Sequence, residues 1–513
     1  MKEPTTIKVS KKEIDNLLEK VEALMSADDF EKIKSVFLMI EQLGFAYKEK
    51  SNKVSELLKM FFGSTSEKQK RKPSKKNKKK KGKNKGKNPV TDYKSAEHID
   101  VPHETLKSGD ICLKCEKGKI YSYIPGRILR ITGSTPIQAV IYHTEKFRCN
   151  LCGKIFEAEL PENAAAEKYD EKASALIALL RYGTGVPFFR LEGLQKMLGI
   201  PLPDSTQWDV VNTMADKIFP AYQELCRIAS YGDIFYNDDT TVKILSLMKE
   251  NEIANPKRKG MFTTGIISKH DDIKIALFLS GRKHAGENLA DILKLRPKTR
   301  GAPIQMSDAA SRNIPASYAL INAFCMSHGR RGFVKVEDQF PDEVEYVVGK
   351  IGVIYKNDKT AGKEKMSPEE RLAFHQEKSG PVMNEVYDWI DKKLDKDVEP
   401  NSGLGKAMRY MVKHKKELTT FLRVAGTPLD NNECERALKK AIIQRKNSLF
   451  YKTEHGAYIG SLFISLIHTC SLNNINPFDY FVELQENVIQ VKSDPENWMP
   501  WNYKENVISQ GNL

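Results

Sequence analysis

No run of apolar residues in this chain is long enough to cross a bilayer. The greasiest late stretch, "YIGSLFISLIHTC", is too short and too polar. The amino terminus, "MKEPTTIKVSKKEIDN", lacks the apolar core of a signal peptide. These absences lead us to expect a cytoplasmic protein with no membrane partner. Cysteine is sparse: of eight, four fall in two CxxC pairs, and Cys226, Cys325, Cys434 and Cys470 are scattered singly. That pattern suits a reducing compartment and one metal site better than a disulfide framework. One span lacks acid altogether, for between Lys68 and Lys87 there are 13 lysines and arginines and no carboxylate. Most of the net charge of +15 is concentrated there, and the remainder is near neutral. No amphipathic apolar face accompanies the tract, so its natural partner is a nucleic acid rather than a membrane.

What is present suggests several domains, because 513 residues at 40% hydrophobic composition can bury a sizeable core. Residues 1–62 carry apolar side chains at heptad-like spacing (Ile14, Leu17, Leu18, Val21; later Ile33, Val36, Phe37, Ile40), interrupted near "SADD". A self-associating coiled coil and a helical hairpin both fit; we favour the first and so expect a homo-oligomer. Residues 63–100 hold the Lys, Gly and Asn tract, a disordered linker or an arm that grips phosphates without reading sequence. In 101–162, Cys112, Cys115, Cys149 and Cys152 form two CxxC pairs 33 residues apart. Each pair sits where a turn between short strands could present both sulfurs to one ion, and a closed shell of four cysteines predicts structural zinc in a zinc-finger domain. Residues 163–230 read as capped amphipathic helices, and "FFRLEGLQKMLGIPLPDSTQWDVVNTM" has the cadence of a helix-turn-helix, with Asp204 and Ser205 as caps of its second helix.

From 231 the character changes to strands. "GDIFYNDDTTVKIL", "FTTGIISK" and "IKIALFLSG" are consecutive β-rich runs with a turn at His270, Asp271 and Asp272; a helix around "NLADILKL" and a fourth strand, "APIQMSD", follow. This is the element order of a ribonuclease H-like α/β core, here spanning 231–450 with a polar helical insertion at 341–425 and a helical region at 451–513. In that order Asp238 lies on the first strand and Asp308 at the end of the fourth. Carboxylates clustered on rigid strands without thiols or imidazoles suit magnesium or manganese, and two such ions would serve phosphodiester displacement. Plainer readings exist for each acid. Asp238 or Asp239 could serve an exposed strand, since their side chains point to opposite faces; Asp308 could be a helix N-cap; and Glu435 could pair with Lys439 on the surface of a helix capped by Asp430, Asn431 or Asn432.

The stretch "DNNECERALKKAIIQRKNSLF" resembles the signature of the insertion sequence 66 transposases, with Ser448 where the family carries an aromatic residue. "NDDTTVKIL" is similar to the family's first-acid motif, and "FCMSHGRRGF", with His328, Arg330 and Arg331, to a block after its second acid. The resemblance runs from about residue 10 to 485. It implies a multidomain α+β protein: a leucine-zipper-like amino terminus, a zinc finger, a helix-turn-helix region and a ribonuclease H-like DDE core. It also implies catalytic Asp238, Asp308 and Glu435 on magnesium or manganese, with Arg330, Arg331, Arg436, Arg445 and Lys446 meeting the phosphates of double-stranded DNA. The activity implied is cleavage at element ends and transfer of the 3′-hydroxyl to target DNA, in a bacterial, nucleoid-associated protein working with accessory proteins of its element. An inactive copy retained as a DNA-binding protein is the rival reading, and a structure-specific nuclease of the same fold a third.

Overall fold

The computed structural model describes residues 167–396 and 398–510 without a break, and shorter stretches between 16 and 161. The 63–100 tract, Cys112 and Cys149 lie outside the described residues. Contacts divide the chain into two units, residues 1–58 with 136–513, and residues 59–135. In the expected zipper, residues 27–37 are helical. Ser26 Oγ accepts the Asp29 N–H at 3.3 Å, so a new helix starts where the apolar pattern is interrupted. Val36 and Phe37 are exposed on it. In the smaller unit an antiparallel bridge between Ile111 and Lys119 closes a turn that contains Cys115. In the larger one β1 (Lys146–Arg148) and β2 (Ile155–Glu157) pair around Cys152. Both cysteines are exposed.

Just before the main sheet run α1 (Glu171–Ala178), α2 (Phe188–Met197) and α3 (Asp204–Ala229). Gly199, at φ +78°, turns the chain after α2 in a conformation that favours glycine. Asp204 is not a cap. Pro203 holds that position, and Asp204 falls in the first turn, where its carboxylate suits the helix dipole. Although α3 stands where a recognition helix was expected, it runs 26 residues and buries Val211, Met214, Ile218 and Leu225 in the main core.

Five strands form that core: β3 (Ile234–Thr241), β4 (Phe262–His270), β5 (Ile273–Gly281), β6 (Ile304–Ser307) and β7 (Ile321–Phe324). Their order across the sheet is β5-β4-β3-β6-β7, with β4 antiparallel to both β3 and β5, and with β6 and β7 parallel to β3. The β4–β5 turn falls at Asp271 and Asp272, as predicted, with Asp271 at φ +50°. Two elements add to the predicted order, β7 and a short helix, α4 (Leu245–Ala254), between β3 and β4. Helix α5 (Ala285–Leu293) then leads into β6.

After β7, α6 (Met326–Val334), α7 (Pro341–Lys363), α8 (Pro368–Lys378), α9 (Gly380–Lys396) and α10 (Gly403–Lys413) build a second core. Val347, Ile351, Val386 and Met408 fill it, with Phe324 of β7 at its edge. The chain returns to the sheet with α11 (Asn432–Ser448), which packs across β3 and β4. Helix α12 (Glu454–Leu472) lies along β5, the edge strand. Ser461, Ser465 and Thr469, one turn apart, accept the outward N–H groups of Ser280, Phe278 and Ala276 at 3.2, 2.8 and 3.0 Å. Those N–H groups would otherwise be buried without acceptors, at about 1–3 kcal/mol each. The polar residues that interrupt "YIGSLFISLIHTC" thus close a sheet edge. No helix among the described residues is long and apolar enough to cross a membrane.

Candidate active site on the central strands

Register places the first two acids together. Tyr236 of β3 pairs in parallel with Met306 of β6, and two residues further along each strand lie Asp238 and Asp308. A single side chain connects them: Asn313 Nδ2 donates to Asp308 Oδ1 at 2.6 Å and stands 3.4 Å from Asp238 Oδ1. Asn313 is itself held from below, its carbonyl accepting from Asn237 Nδ2 at 2.7 Å and Gln305 Nε2 at 2.6 Å. All three amides are buried. Asp308 also accepts the Ala310 N–H at 3.1 Å, but Ala310, not Asp308, is the N-cap of the helical turn that follows.

The strand's period of two separates the neighbouring aspartates. Asp239 turns to the other face, where its carboxylate, 3% exposed, meets His284 Nδ1 at 2.9 Å. It is a partnered structural acid. Asp238 keeps a half-buried carboxyl pushed up to about 6, first by burial and then by the charge of Asp308, against the pull of the Asp239 N–H and Asn313. A carboxyl this unfavourable to ionise is one that a cation would relieve.

Glu435 arrives on α11. Asn431, the buried N-cap, does not spend its side chain on the helix; Nδ2 donates to the Asn237 carbonyl of β3 at 3.1 Å. Asp430 instead accepts the Asn432 N–H and side-chain amide at 3.1 and 2.6 Å. The approach of α11 depends on Gly265, which faces Asp238 across the β3–β4 ladder. A Cβ there would lie 3.0 Å from Leu438 Cδ2, and the Gly265 carbonyl accepts Cys434 Sγ–H at 3.2 Å. A side chain at this position would press on Leu438 and push the helix outward unless that leucine shifts.

The plainer pairing of Glu435 with Lys439 is not found among the described residues, and the neighbouring Glu433 meets Lys269 of β4 at 2.7 Å. Glu435 faces α6: Oε1 is 3.7 Å from His328 Nδ1, and Oε2 is 3.7 Å from Arg331. Among the described residues no hydrogen bond or ion pair joins Glu435 to either aspartate. Both Glu435 and Asp308 act electrostatically on His328, each favouring its charged form. Burial, and then Arg331, hold that imidazole below its ordinary pKa, in the neutral form.

The basic residues divide. Arg330, Arg436 and Lys446 all reach solvent as exposed residues. Arg331 faces Glu435. Arg445 is spent on the end of β3, donating to Thr240 Oγ1 at 3.1 Å and Thr241 Oγ1 at 2.8 Å. Asn313, Gly265 and Asn237 were not singled out from the sequence. An amide or a glycine carries no chemical signature there, and only strand register reveals their roles.

A model of the transposase IS66 family matches residues 168–459. Three proteins of Sinorhizobium fredii, each described as uncharacterised, are similar to the chain. One, y4hP, is 25% identical over 392 residues, covering 70% of this chain and 67% of its own length. Another, y4qI, is 22% identical over 91% of this chain and 85% of its own. The third, y4jD, is 28% identical over 37% of either chain. With the matched span containing the sheet, the insertion and α11, the chain belongs to the IS66 transposase family.

Proposed function

We propose that the protein is a DDE-type DNA transposase that cuts the ends of its element and joins their 3′-hydroxyls to target DNA, on a ribonuclease H-like core. The sheet order, with three antiparallel strands followed by two parallel ones, supports that core. The observation that carries the chemistry is the convergence of Asp238 and Asp308 on one amide, with α11 bringing Glu435 over the same strand.

The residues fit magnesium or manganese. Their oxygens are hard donors, Asp238 is costly to ionise alone, and Glu435 Oε1 is buried with no hydrogen-bond partner. When bound, divalent cations would activate the attacking water or 3′-hydroxyl and stabilise the leaving oxygen. The protein's own part is positional. The Asn237, Gln305 and Asn313 amides fix both aspartates, Asn431 and Gly265 fix the height of α11, and Arg330, Arg436 and Lys446 supply charge for the DNA phosphates. Zinc on Cys112, Cys115, Cys149 and Cys152, pairing of subunits through residues 1–62, and phosphate contacts by the basic tract complete the proposal.

The test is cleavage and strand transfer on labelled DNA carrying the element's ends, with Mg²⁺ or Mn²⁺, comparing wild type with Glu435→Gln. Joined product that the substitution reduces at least about 1,000-fold, with DNA binding retained, supports the reading. A wild type that binds the ends but never cuts them, with accessory proteins supplied, assigns the chain to DNA binding alone.

A further inference from the structure

We propose that His328 is a nitrogen ligand of the cation held by Glu435, so that the catalytic set is four residues rather than three. The proposal rests on the transposase reading above and adds one residue to its metal site.

Two buried atoms face each other without a partner. His328 Nδ1 and Glu435 Oε1 are both inaccessible and both lack a hydrogen bond. They are 3.7 Å apart, too far for a charge-assisted hydrogen bond, which would close to about 2.7–2.9 Å. Two donors each about 2.1 Å from a shared ion stand no more than about 4.2 Å apart, so the gap has the span of a common cation. Leaving two polar atoms buried and unmatched carries a penalty that an ion between them would remove.

Cys325 completes the only cluster of this kind among the described residues, its Sγ lying within 4.8 Å of the other two donor atoms. Its sulfur is already engaged, accepting the Asn431 N–H at 3.3 Å. Cys325 therefore anchors the start of α11, and His328, one turn along α6, is left to face the ion.

Arg331 makes the arrangement a switch of partners. Its guanidinium donates to His328 Nε2 at 3.2 Å and lies 3.7 Å from Glu435 Oε2. Accepting from Arg331 places the imidazole proton on Nδ1. Ligation through Nδ1 reverses the tautomer, puts the proton on Nε2 and ends that contact. Arg331, half exposed, is then free to swing toward a DNA phosphate. Until a cation binds, Arg331 would stand in for it beside Glu435.

The deciding measurement is pulsed EPR of Mn²⁺ bound to the full-length protein labelled with ¹⁵N-histidine, alongside Mn²⁺ titrations of His328→Ala, His328→Gln, Glu435→Gln and Asp238→Asn. The expected result is a histidine-nitrogen coupling in wild type that both His328 variants abolish, with Mn²⁺ binding weakened at least about tenfold. Because a misfolded variant would also lose the coupling, the His328 variants count only where their urea unfolding matches wild type. Binding lost in the Glu435 and Asp238 variants, with no nitrogen coupling in wild type or with coupling that survives in the His328 variants, overturns the ligand and leaves the carboxylate site standing. Mn²⁺ binding that is absent from wild type, or unchanged in Glu435→Gln and Asp238→Asn, overturns the carboxylate site and the ligand together.

Discussion

The two halves of the candidate site are built on opposite principles. On the sheet, Asp238 and Asp308 are fixed by buried amides that are themselves hydrogen-bonded, Asn313 on Asn237 and Gln305. On the helix side, Glu435 has only two partners at 3.7 Å, both on α6 and one of them a half-exposed arginine. A buried amide network of this kind is rigid, because moving any member breaks hydrogen bonds that a low-dielectric interior does not replace. The loosely paired side can re-pair when cation and DNA arrive. Precision thus resides in the strands and adaptability in the helix, which matches their place in the fold. Strand register is fixed by the hydrophobic core, whereas α11 reaches the sheet only after the second core has been crossed.

The contrast breaks most severely where the halves touch. Gly265→Val should push α11 off β3 and move Glu435 away from the aspartates. Since a displacement of about 1 Å at a catalytic group costs on the order of 100-fold, end cleavage should fall by about that factor while DNA binding persists. Cleavage within about twofold of wild type would show that the close approach does not set the site.

A smaller effect sharpens the comparison through pH. In the metal-free protein Asp238 titrates at about 6 when folded, above its ordinary 3.8. The folded state therefore holds the extra proton between those values, and stability is lost as pH rises through that window. Asp238→Asn removes the penalty. With EDTA present it should stabilise the protein by about 1–3 kcal/mol at about pH 8 and add nothing at about pH 4. Glu435→Gln, on the loosely paired side, should change stability by less than about 0.5 kcal/mol at either pH. Urea unfolding of both variants checks the pair, and equal shifts for the two would erase the distinction drawn here.

The smallest effect concerns the far end of α11. Leu449 terminates the helix at φ +66°, a strained conformation for a branched side chain, and is 63% exposed. Leu449→Gly should relieve that strain at little cost in burial and raise stability by about 0.5–1 kcal/mol, read by thermal or urea unfolding. Destabilisation instead would mean that the exposed leucine is held by packing.

Several features were legible because they are local. The β-rich runs "FTTGIISK" and "IKIALFLSG" and the Asp271 turn pointed to β4 and β5, and the signature at 430–450 placed a helix with acid at its start and base along its length. The choice between Asp238 and Asp239 was not local, since it depends on which face of β3 is covered by α11. Nor was the length of α3, whose buried face is explained by the sheet it covers. β7, only four residues long, owes its existence to the ladder it forms with β6.

By itself the sequence determined most of the strands and helices, the acids available to bind a cation and the concentration of positive charge, because these follow from residue type and short-range periodicity. Tertiary structure alone decided that Asn313 joins two aspartates, that Gly265 sets the height of α11 and that Glu435 faces His328. Asn313 and Asp238 stand 75 positions apart in the chain, and Gly265 and Cys434 stand 169 apart. Hydrogen bonding and packing set the geometry of such contacts, and both act through space rather than along the chain.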